Sequence, residues 1–264
     1  MKQFFYRFLI ELTNSKWSSL LIKKFANSNF STKIIPSFSK VYEINLEEAE
    51  KKADNFASLH DFFVRKLKSG AREIQHISNG VISPVDAVIE DIGKIKKDKT
   101  IIVKGKTYSI EEMLGTQDTL GQYDGGTYLI FYLSPKDYHR IHSPIAGEII
   151  KQWTLGGKSY PVNKYGLKYG KSPLSKNYRT ISEVRTASGQ HVAVVKVGAM
   201  FINSIILSHG NETVSAGEEI AYFSFGSTVV LLFEKDALKM KENITAPYHV
   251  KMGELIGEFM NELL

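Results

Sequence analysis

From residue 80 onward, short apolar runs alternate with turn residues along the chain, and this pattern limits the folds open to it. Runs such as "TYLIFYL" (127–133), "HVAVVKV" (191–197), "MFINSIIL" (200–207) and "STVVLLF" (227–233) are rich in β-branched and aromatic side chains. Glycine, proline, asparagine and aspartate separate them, and each run has the length of one buried strand. The pattern predicts an α+β, mostly β protein whose β-rich domain spans residues 76–264.

Two internal echoes refine this prediction. "SPVDAVI" (83–89) resembles "SPIAGEI" (143–149), and "GEEIAYF" (217–223) resembles "GELIGEF" (253–259). Each echo combines a turn with the start of an apolar run. Paired units of this kind predict a β barrel or sandwich with duplicated elements, in the manner of lipoyl-carrier-like (hybrid-motif) folds.

Residues 1–75 differ from the rest and predict an N-terminal helical region. Phe4, Phe8 and Leu12 recur at the spacing of one helical face. Pro36 is expected to break the helices, and Asn45 to cap a further helix over "NLEEAEKKADNFASLHDFFVRKL" (45–67).

The excess positive charge lies in the same region. The 264 residues carry 34 Lys+Arg and 28 Asp+Glu, and residues 1–40 hold seven of the basic side chains against Glu11 alone. Charges interrupt each apolar run well short of the roughly 20 residues of a membrane span. Two interpretations stay open for a basic, aromatic-rich amphipathic helix: it lies on an anionic bilayer surface, or it packs on its own domain. The chain has no cysteine, which excludes disulfides, thiolate zinc sites and cysteine nucleophiles.

The densest cluster of chemically capable side chains is "YLSPKDYHRIHSP" (132–144), with His139 and His142 three residues apart and Asp137 before them. A zinc site would need a third ligand from Asp, Glu or another histidine. General acid–base chemistry would need a histidine oriented by a carboxylate and aimed at a nucleophile. Two hydrogen-bonded histidines in a structural loop are the third possibility.

Asp86 and Ser227 are the candidates for those two further roles. Asp86 lies among apolar residues of a predicted strand, where an unpaired carboxylate is costly to bury, so it is expected to have a partner such as an imidazole. Ser227 follows Gly226 at the entrance of "STVVLLF". The surrounding "FGSTV" lacks the Gly-x-Ser-x-Gly turn of a serine hydrolase. A phosphate-binding loop at "GKS" (157–159) is excluded because position 152, where glycine is required, is Gln152.

Several ordered blocks of the sequence together resemble the pyruvoyl-dependent phosphatidylserine decarboxylases. The likeness runs from about residue 58 to the C-terminus, and the blocks are "FFVRKLKSGAR" (62–72), "SPVDA" (83–87), "YLSPKDYHRIHSP" (132–144), "YPVN" (160–163), "LSKNYR" (174–179), "VGAMFINSI" (197–205), "GEEIAYFSFGSTVV" (217–230) and "KMGELIG" (251–257). The differences are small: Phe225 replaces the family's usual leucine, and Ala87 stands where glycine is common.

The resemblance implies a self-cleaving proenzyme, cut between Gly226 and Ser227 into a chain of residues 1–226 and a chain of residues 227–264. His142, held by Asp86, is expected to take the Ser227 proton before Ser227 attacks the Gly226 carbonyl. Ser227 then becomes a covalent pyruvoyl group, which forms a Schiff base with phosphatidylserine and acts as the electron sink. His139 is expected to assist decarboxylation, which yields phosphatidylethanolamine and CO2.

The resemblance also implies where the protein works. A membrane-borne substrate favours a peripheral location on the cytoplasmic face of the cell membrane, with residues 1–40 on the anionic lipid surface and no metal or nucleic acid as partner. The two cleaved chains are expected to stay together as a heterodimer. Two other classes remain: a lipoyl-like carrier that uses a lysine of "KMK" (239–241), and a metal-dependent hydrolase that uses His139 and His142.

Overall fold

A computed structural model of the protein describes residues 21, 23–115, 118–199, 205–208, 210, 212–224 and 227–260. Its helices are α1 (Ile35–Val41), α2 (Leu59–Phe63), α3 (Ile110–Leu114), α4 (Lys164–Tyr169) and α5 (Pro173–Lys176), with 3-10 turns at Asn29–Ile34, Leu46–Glu48, Ala53–Asn55 and Asp118–Tyr123. Its strands are β1 (Gly80–Ile82), β2 (Ala87–Lys94), β3 (Thr100–Val103), β4 (Lys106–Ser109), β5 (Thr127–Leu133), β6 (Arg140–His142), β7 (Gly147–Leu155), β8 (Arg179–Arg185), β9 (His191–Gly198), β10 (Ile205–Leu207), β11 (Thr213–Val214), β12 (Glu219–Phe223), β13 (Ser227–Phe233), β14 (Leu238–Met240), β15 (Tyr248–Val250) and β16 (Leu255–Phe259).

The largest element is an antiparallel sheet of eight strands in the order β11-β7-β8-β9-β13-β5-β2-β15. The runs predicted at 127–133, 191–197 and 227–233 are its strands β5, β9 and β13, which confirms those predictions. Within the described residues this sheet has two edges, at β11 and β15, and does not close into a barrel. The mostly β, α+β class is therefore confirmed, and a closed barrel is not what forms.

Strand β13 lies in the middle of this sheet and is buried on both faces. Val229, Leu231 and Phe233 point into one apolar core. Val230 and Leu232 point into the core on the opposite face. Burial on both faces explains why the sequence there is a continuous apolar run instead of an alternating one. Each such side chain contributes roughly 1.5–3 kcal/mol by leaving water, which makes β13 a rigid support for Ser227 at its first position.

The two copies of the first sequence echo form the same turn. Ser83 and Ser143 each donate a side-chain hydrogen bond to the carbonyl two residues later, at 2.7 Å in both cases. The turns also exchange main-chain bonds, from Ile82 N to Pro144 O at 3.0 Å and from His142 N to Pro84 O at 2.9 Å. The segments that carry Asp86 and His142 are thereby fixed side by side. Their origin by duplication stays a prediction.

The second echo supports these two turns. Gly217 and Gly253 have φ of +82° and +89°, values that favour glycine. Gly217 N donates to Ser143 O at 2.9 Å, and Gly253 N donates to Ser83 O at 3.0 Å. Strands β12 and β16 follow the two glycines and pair with β6 and β1, in the sheets β10-β12-β6 and β1-β16-β14.

The N-terminal region is less helical than the sequence predicts. Asn45 caps its turn as predicted, by accepting a hydrogen bond from Glu47 N at 3.1 Å, but the helix expected over 45–67 is not continuous. Main-chain groups of residues 48–50 bond across to residues 66–68 and are not available to a helix. Pro36 lies in the first turn of α1, where proline is tolerated, so it begins a helix instead of breaking one.

The N-terminal region has a small apolar core of its own, formed by Ile35, Ile44, Ala49, Phe56 and Phe62. Phe30 and Val41 point the other way and are 75% and 73% exposed. The predicted helical face of Phe4, Phe8 and Leu12 lies outside the described residues. No helix in the part of the chain described here is long and apolar enough to cross a membrane.

Candidate active site

Ser227 is the first residue of β13 and is held on both sides, opposite Leu133 of β5 and Gly198 of β9. Its side chain is fully buried, and its Oγ has no hydrogen-bond partner within the described residues. A buried hydroxyl without a partner is destabilising, so its presence in a native protein calls for a functional explanation. Phe225 and Gly226, which precede it, lie outside the described residues.

Two connections bring the histidine segment to this strand end. The loop of residues 134–139 begins directly after Leu133, the residue opposite Ser227. Its last residue, His139, accepts a hydrogen bond at its main-chain oxygen from Phe223 N at 2.9 Å. Phe223 lies four positions before Ser227 in the sequence. The loop is thus tied to the chain on both sides of the predicted cleavage point.

His139 is fully buried and held in one orientation. Its Nδ1 lies 2.8 Å from the carbonyl oxygen of Asp137, and because a carbonyl can only accept, Nδ1 carries the proton. Nε2 is therefore the unprotonated nitrogen, and it has no partner among the described residues. The ring packs on Phe63 with 3.9 Å between centroids. Burial and the nearby Arg65 guanidinium lower the pKa of His139 to about 3, so the imidazole is neutral at physiological pH.

His142 has the same tautomer for a similar reason. Its Nδ1 donates to the carbonyl oxygen of Gly217 at 2.7 Å, which leaves Nε2 to accept a hydrogen bond from the Tyr138 hydroxyl at 3.2 Å. Burial lowers the pKa of His142, and the Gly217 carbonyl and the charges of Glu219 and Asp86 oppose that effect. An unprotonated Nε2 is the atom that a general base uses.

The direct contact between Asp86 and His142 expected from the resemblance is absent in this structure. The carboxylate of Asp86 accepts hydrogen bonds from Arg72 Nε at 2.8 and 3.1 Å and from Arg72 Nη2. It also accepts one from Met252 N at 2.9 Å. A guanidinium satisfies a buried carboxylate with two parallel bonds and a full charge, which a neutral imidazole cannot match. Asp86 therefore acts on His142 only through space.

The geometry also bears on the zinc alternative. His139 and His142 both commit Nδ1 to main-chain carbonyls, and their rings pack on different neighbours, Phe63 and Tyr138. Across the described ranges, no three His, Asp or Glu side chains are grouped in a way that could hold a metal ion.

Sequence reasoning predicted Asp86, His139, His142 and Ser227 as site residues but missed the groups that hold them. The Gly217 carbonyl orients His142, and a main-chain acceptor leaves no side-chain signature in a sequence. Arg65 and Arg72 are different, because both belong to the block "FFVRKLKSGAR" (62–72), which marked them without assigning them a role.

Comparison with known proteins gives a consistent result over nearly the whole chain. Residues 59–258 match the sequence profile of phosphatidylserine decarboxylase. A phosphatidylserine decarboxylase proenzyme of Geobacillus sp. (strain WCH70) is 58% identical over 257 residues, covering 97% of this chain and 99% of that protein. Proteins of the same name from Anoxybacillus flavithermus (strain DSM 21510 / WK1) and Bacillus mycoides (strain KBAB4) are 58% and 52% identical, over 97% of this chain and 97% and 98% of theirs. The chain therefore belongs to the phosphatidylserine decarboxylase family.

Proposed function

We propose that the protein is a phosphatidylserine decarboxylase made as a self-cleaving proenzyme, and that Ser227 is the residue from which its cofactor is built. Within this family, the observation that carries the assignment is the Ser227 hydroxyl, which is buried at the start of a central strand and has no hydrogen-bond partner among the described residues. His139 and His142, each with an unprotonated Nε2, lie on segments bonded to both sides of that point.

In the maturation step His142 is the base. Its Nε2 takes the proton of Ser227 Oγ, which attacks the carbonyl carbon of Gly226. The C–N bond to Ser227 breaks, the nitrogen takes up the proton, and the Gly226 carbonyl is left as an ester on Oγ. Removal of the Ser227 Cα proton then breaks the Cβ–Oγ bond and releases residues 1–226 with a free carboxylate. Water replaces the nitrogen of the remaining dehydroalanine, and ammonia leaves.

Asp86 supports this step without touching the imidazole. When His142 accepts a proton it becomes a buried cation, and the negative charges of Glu219 and Asp86 favour that form. Asp86 also joins the two predicted chains, because its partner Arg72 lies before the cleavage point and its partner Met252 after it.

The family's pyruvoyl group fits position 227, because the serine that would form it is buried at a fixed strand end. Such a group supplies a carbonyl that condenses with the substrate amine and withdraws electrons from the breaking Cα–carboxylate bond. His139 is neutral, with Nε2 as an acceptor, so it is suited to handling a proton and not to binding the substrate carboxylate with an N–H. It can take at Nε2 a proton that the substrate ammonium gives up and return it to the substrate carbon after CO2 has left.

We further propose that the enzyme binds the cytoplasmic face of the cell membrane peripherally, as a heterodimer of its two cleaved chains. The net charge of residues 1–40 suits an anionic surface. Exposed apolar side chains at Phe30 and Val41 in the described part of this region suit partial insertion among lipids.

Intact mass spectrometry and an activity assay on the same preparation test the assignment. The wild-type protein is expected to give two masses, for residues 1–226 and for residues 227–264 with a pyruvoyl group in place of Ser227. It is also expected to release CO2 from phosphatidylserine in mixed micelles. Ser227→Ala is expected to give one full-length mass and no CO2. A single full-length mass in an active wild-type preparation would refute the proposal.

A further inference from the structure

Arg65 is a buried arginine whose contacts are directed at the histidine loop. It follows α2 by two residues and is 5% exposed. Its Nη2 donates to the carbonyl oxygens of Lys136 at 2.8 Å and Asp137 at 3.2 Å. One guanidinium nitrogen thus holds two consecutive carbonyls of the loop that ends in His139.

The Asp137 carbonyl is shared between two donors. It accepts from Arg65 Nη2 and also from His139 Nδ1 at 2.8 Å. Phe63, two residues before Arg65, packs on the imidazole ring. A single short segment of the N-terminal region therefore contacts both the ring of His139 and the acceptor that fixes its tautomer.

The other donors of Arg65 indicate that burying this arginine is destabilising, so a structural role alone does not explain its presence. Nε and Nη1 are buried and have no partner within the described residues, and no carboxylate forms an ion pair with the guanidinium there. Burial lowers the pKa of Arg65, which expresses the same desolvation penalty. The Phe62 ring, whose centroid lies 5.4 Å from Arg65 Cζ, offsets only part of this penalty, and an apolar side chain would fill the space more favourably.

Resting on the role proposed above for His139, we propose that Arg65 is a positioning residue for decarboxylation. It fixes the 134–139 loop so that the Asp137 carbonyl retains the Nδ1 proton of His139 and Nε2 remains the free base. Its charge, close to the imidazole, also opposes protonation of that ring.

The positions of the charged groups around His139 mean that a pH test can detect the effect of Arg65 on the pKa of His139. Arg65 faces the imidazole from the segment after α2 and lowers the pKa of His139. On the loop itself, the Asp137 carboxylate is turned away, accepting from Ser134 N and Ser134 Oγ at 2.7 Å each. The side chain of Lys136 is exposed. Loss of the Arg65 charge should therefore raise the pKa of His139.

The test compares Arg65→Gln and Arg65→Lys with wild type, and uses Arg185→Gln as a control at an exposed arginine. Self-cleavage, which does not need His139, reports folding on a gel. Decarboxylation of phosphatidylserine in mixed micelles is measured between pH 2.5 and 8, a range that includes the expected acid limbs of both proteins. We expect Arg65→Gln to cleave itself but to decarboxylate about tenfold more slowly, with its acid limb displaced upward by about one pH unit relative to wild type.

Arg65→Lys separates the effect of the positive charge from the effect of the planar guanidinium geometry. Because the charge is kept, this variant should have the acid limb of wild type. It should decarboxylate more slowly, because an ammonium on a flexible stem does not hold two carbonyls in a fixed geometry. A wild-type rate in Arg65→Gln would overturn the proposal. A reduced rate with the acid limb of wild type and of Arg185→Gln would overturn it too, because a structural role alone predicts that result.

A second measurement covers the case in which Arg65→Gln fails to cleave. In the Ser227→Ala precursor, 15N NMR of the imidazoles, assigned with His139→Gln, should show His139 as the neutral Nδ1–H tautomer. Adding Arg65→Gln should shift its titration to higher pH, and an unchanged titration would overturn the proposal. This readout needs no decarboxylase activity, so it stands apart from the assay of the proposed function.

Discussion

A buried lysine in the central sheet provides a quantitative test of how this core is built. Lys196 of β9 is fully buried, and its Nζ donates to Ser182 Oγ at 2.6 Å and to Val194 O at 3.5 Å. Both described acceptors are uncharged. Burial therefore lowers the pKa of Lys196 to about 7.

The sign of the pH dependence follows from the two states of the protein. The unfolded chain holds the Lys196 proton up to a pKa of about 10.4, while the folded protein releases it near 7. Between these values the unfolded state binds more protons, so stability rises with pH. At about 1.4 kcal/mol per pKa unit, the lysine destabilises the fold by an upper limit of about 5 kcal/mol at pH 6 and about 1 kcal/mol at pH 9.5.

Lys196→Met removes the charge and keeps the side-chain volume. Ser182 Oγ retains a hydrogen bond from Gln152 Nε2 at 2.8 Å, so the substitution leaves it with a partner. We expect the free energy of unfolding to rise by about 2–3 kcal/mol at pH 6, once the lost bond to Ser182 is allowed for, and by less than about 1 kcal/mol at pH 9.5.

Urea unfolding followed by circular dichroism measures this difference. The background is Ser227→Ala, expected to remain one uncut chain, which makes unfolding a reaction of a single molecule. Lys97→Met, at an exposed position, is the control and should change stability little at either pH. If Lys196→Met is destabilising at pH 6, or stabilises equally at both pH values, then burial does not lower the pKa of Lys196 as described.

Three further predictions concern the site and the N-terminal region. Asp86→Asn should slow self-cleavage strongly and destabilise the fold by about 3 kcal/mol, because Arg72 loses a buried charged partner; normal maturation on gels, combined with a block in Asp137→Asn, would identify Asp137 as the essential carboxylate. His142→Ala should leave the precursor uncut by mass spectrometry, whereas His139→Ala should cleave and then release little CO2, and equal defects in both steps would contradict the division of roles. Changing four N-terminal lysines to glutamine should weaken sedimentation with anionic vesicles by about 1 kcal/mol per lysine and leave self-cleavage intact, and binding unchanged by this variant and by high salt would exclude the electrostatic contribution. These lysines are Lys16, Lys23, Lys24 and Lys33.

The strands were predictable from the sequence because burial on both faces demands a continuous apolar run, as β13 shows. Their order in the sheet was not, because an apolar run carries no information about its neighbours. The same limit explains the N-terminal region, where a helical pattern at 45–67 was overridden by main-chain bonds between residues distant in sequence.

For the site, sequence reasoning predicted the side chains to which we assign chemistry but did not predict their partners. The cost of burying Asp86 predicted that it would have a partner, and the structure provides Arg72. The energetic cost of burial predicts that Asp86 has a partner of opposite charge, but it does not predict which residue that partner is. The acceptors that set the tautomers of His139 and His142 are main-chain carbonyls, which every residue possesses, so only the fold selects them.

The position of β13 decides what a cut before Ser227 can do mechanically. All seven residues of this strand are paired on both sides, with β5 and with β9, and both neighbours belong to the larger fragment. Cleavage of the backbone there would leave the sheet intact, because the new chain end stays hydrogen-bonded between two uncut strands. Pairing on both sides would retain the small fragment after cleavage. The group at its new N-terminus would keep a fixed position, which an unpaired chain terminus would not have.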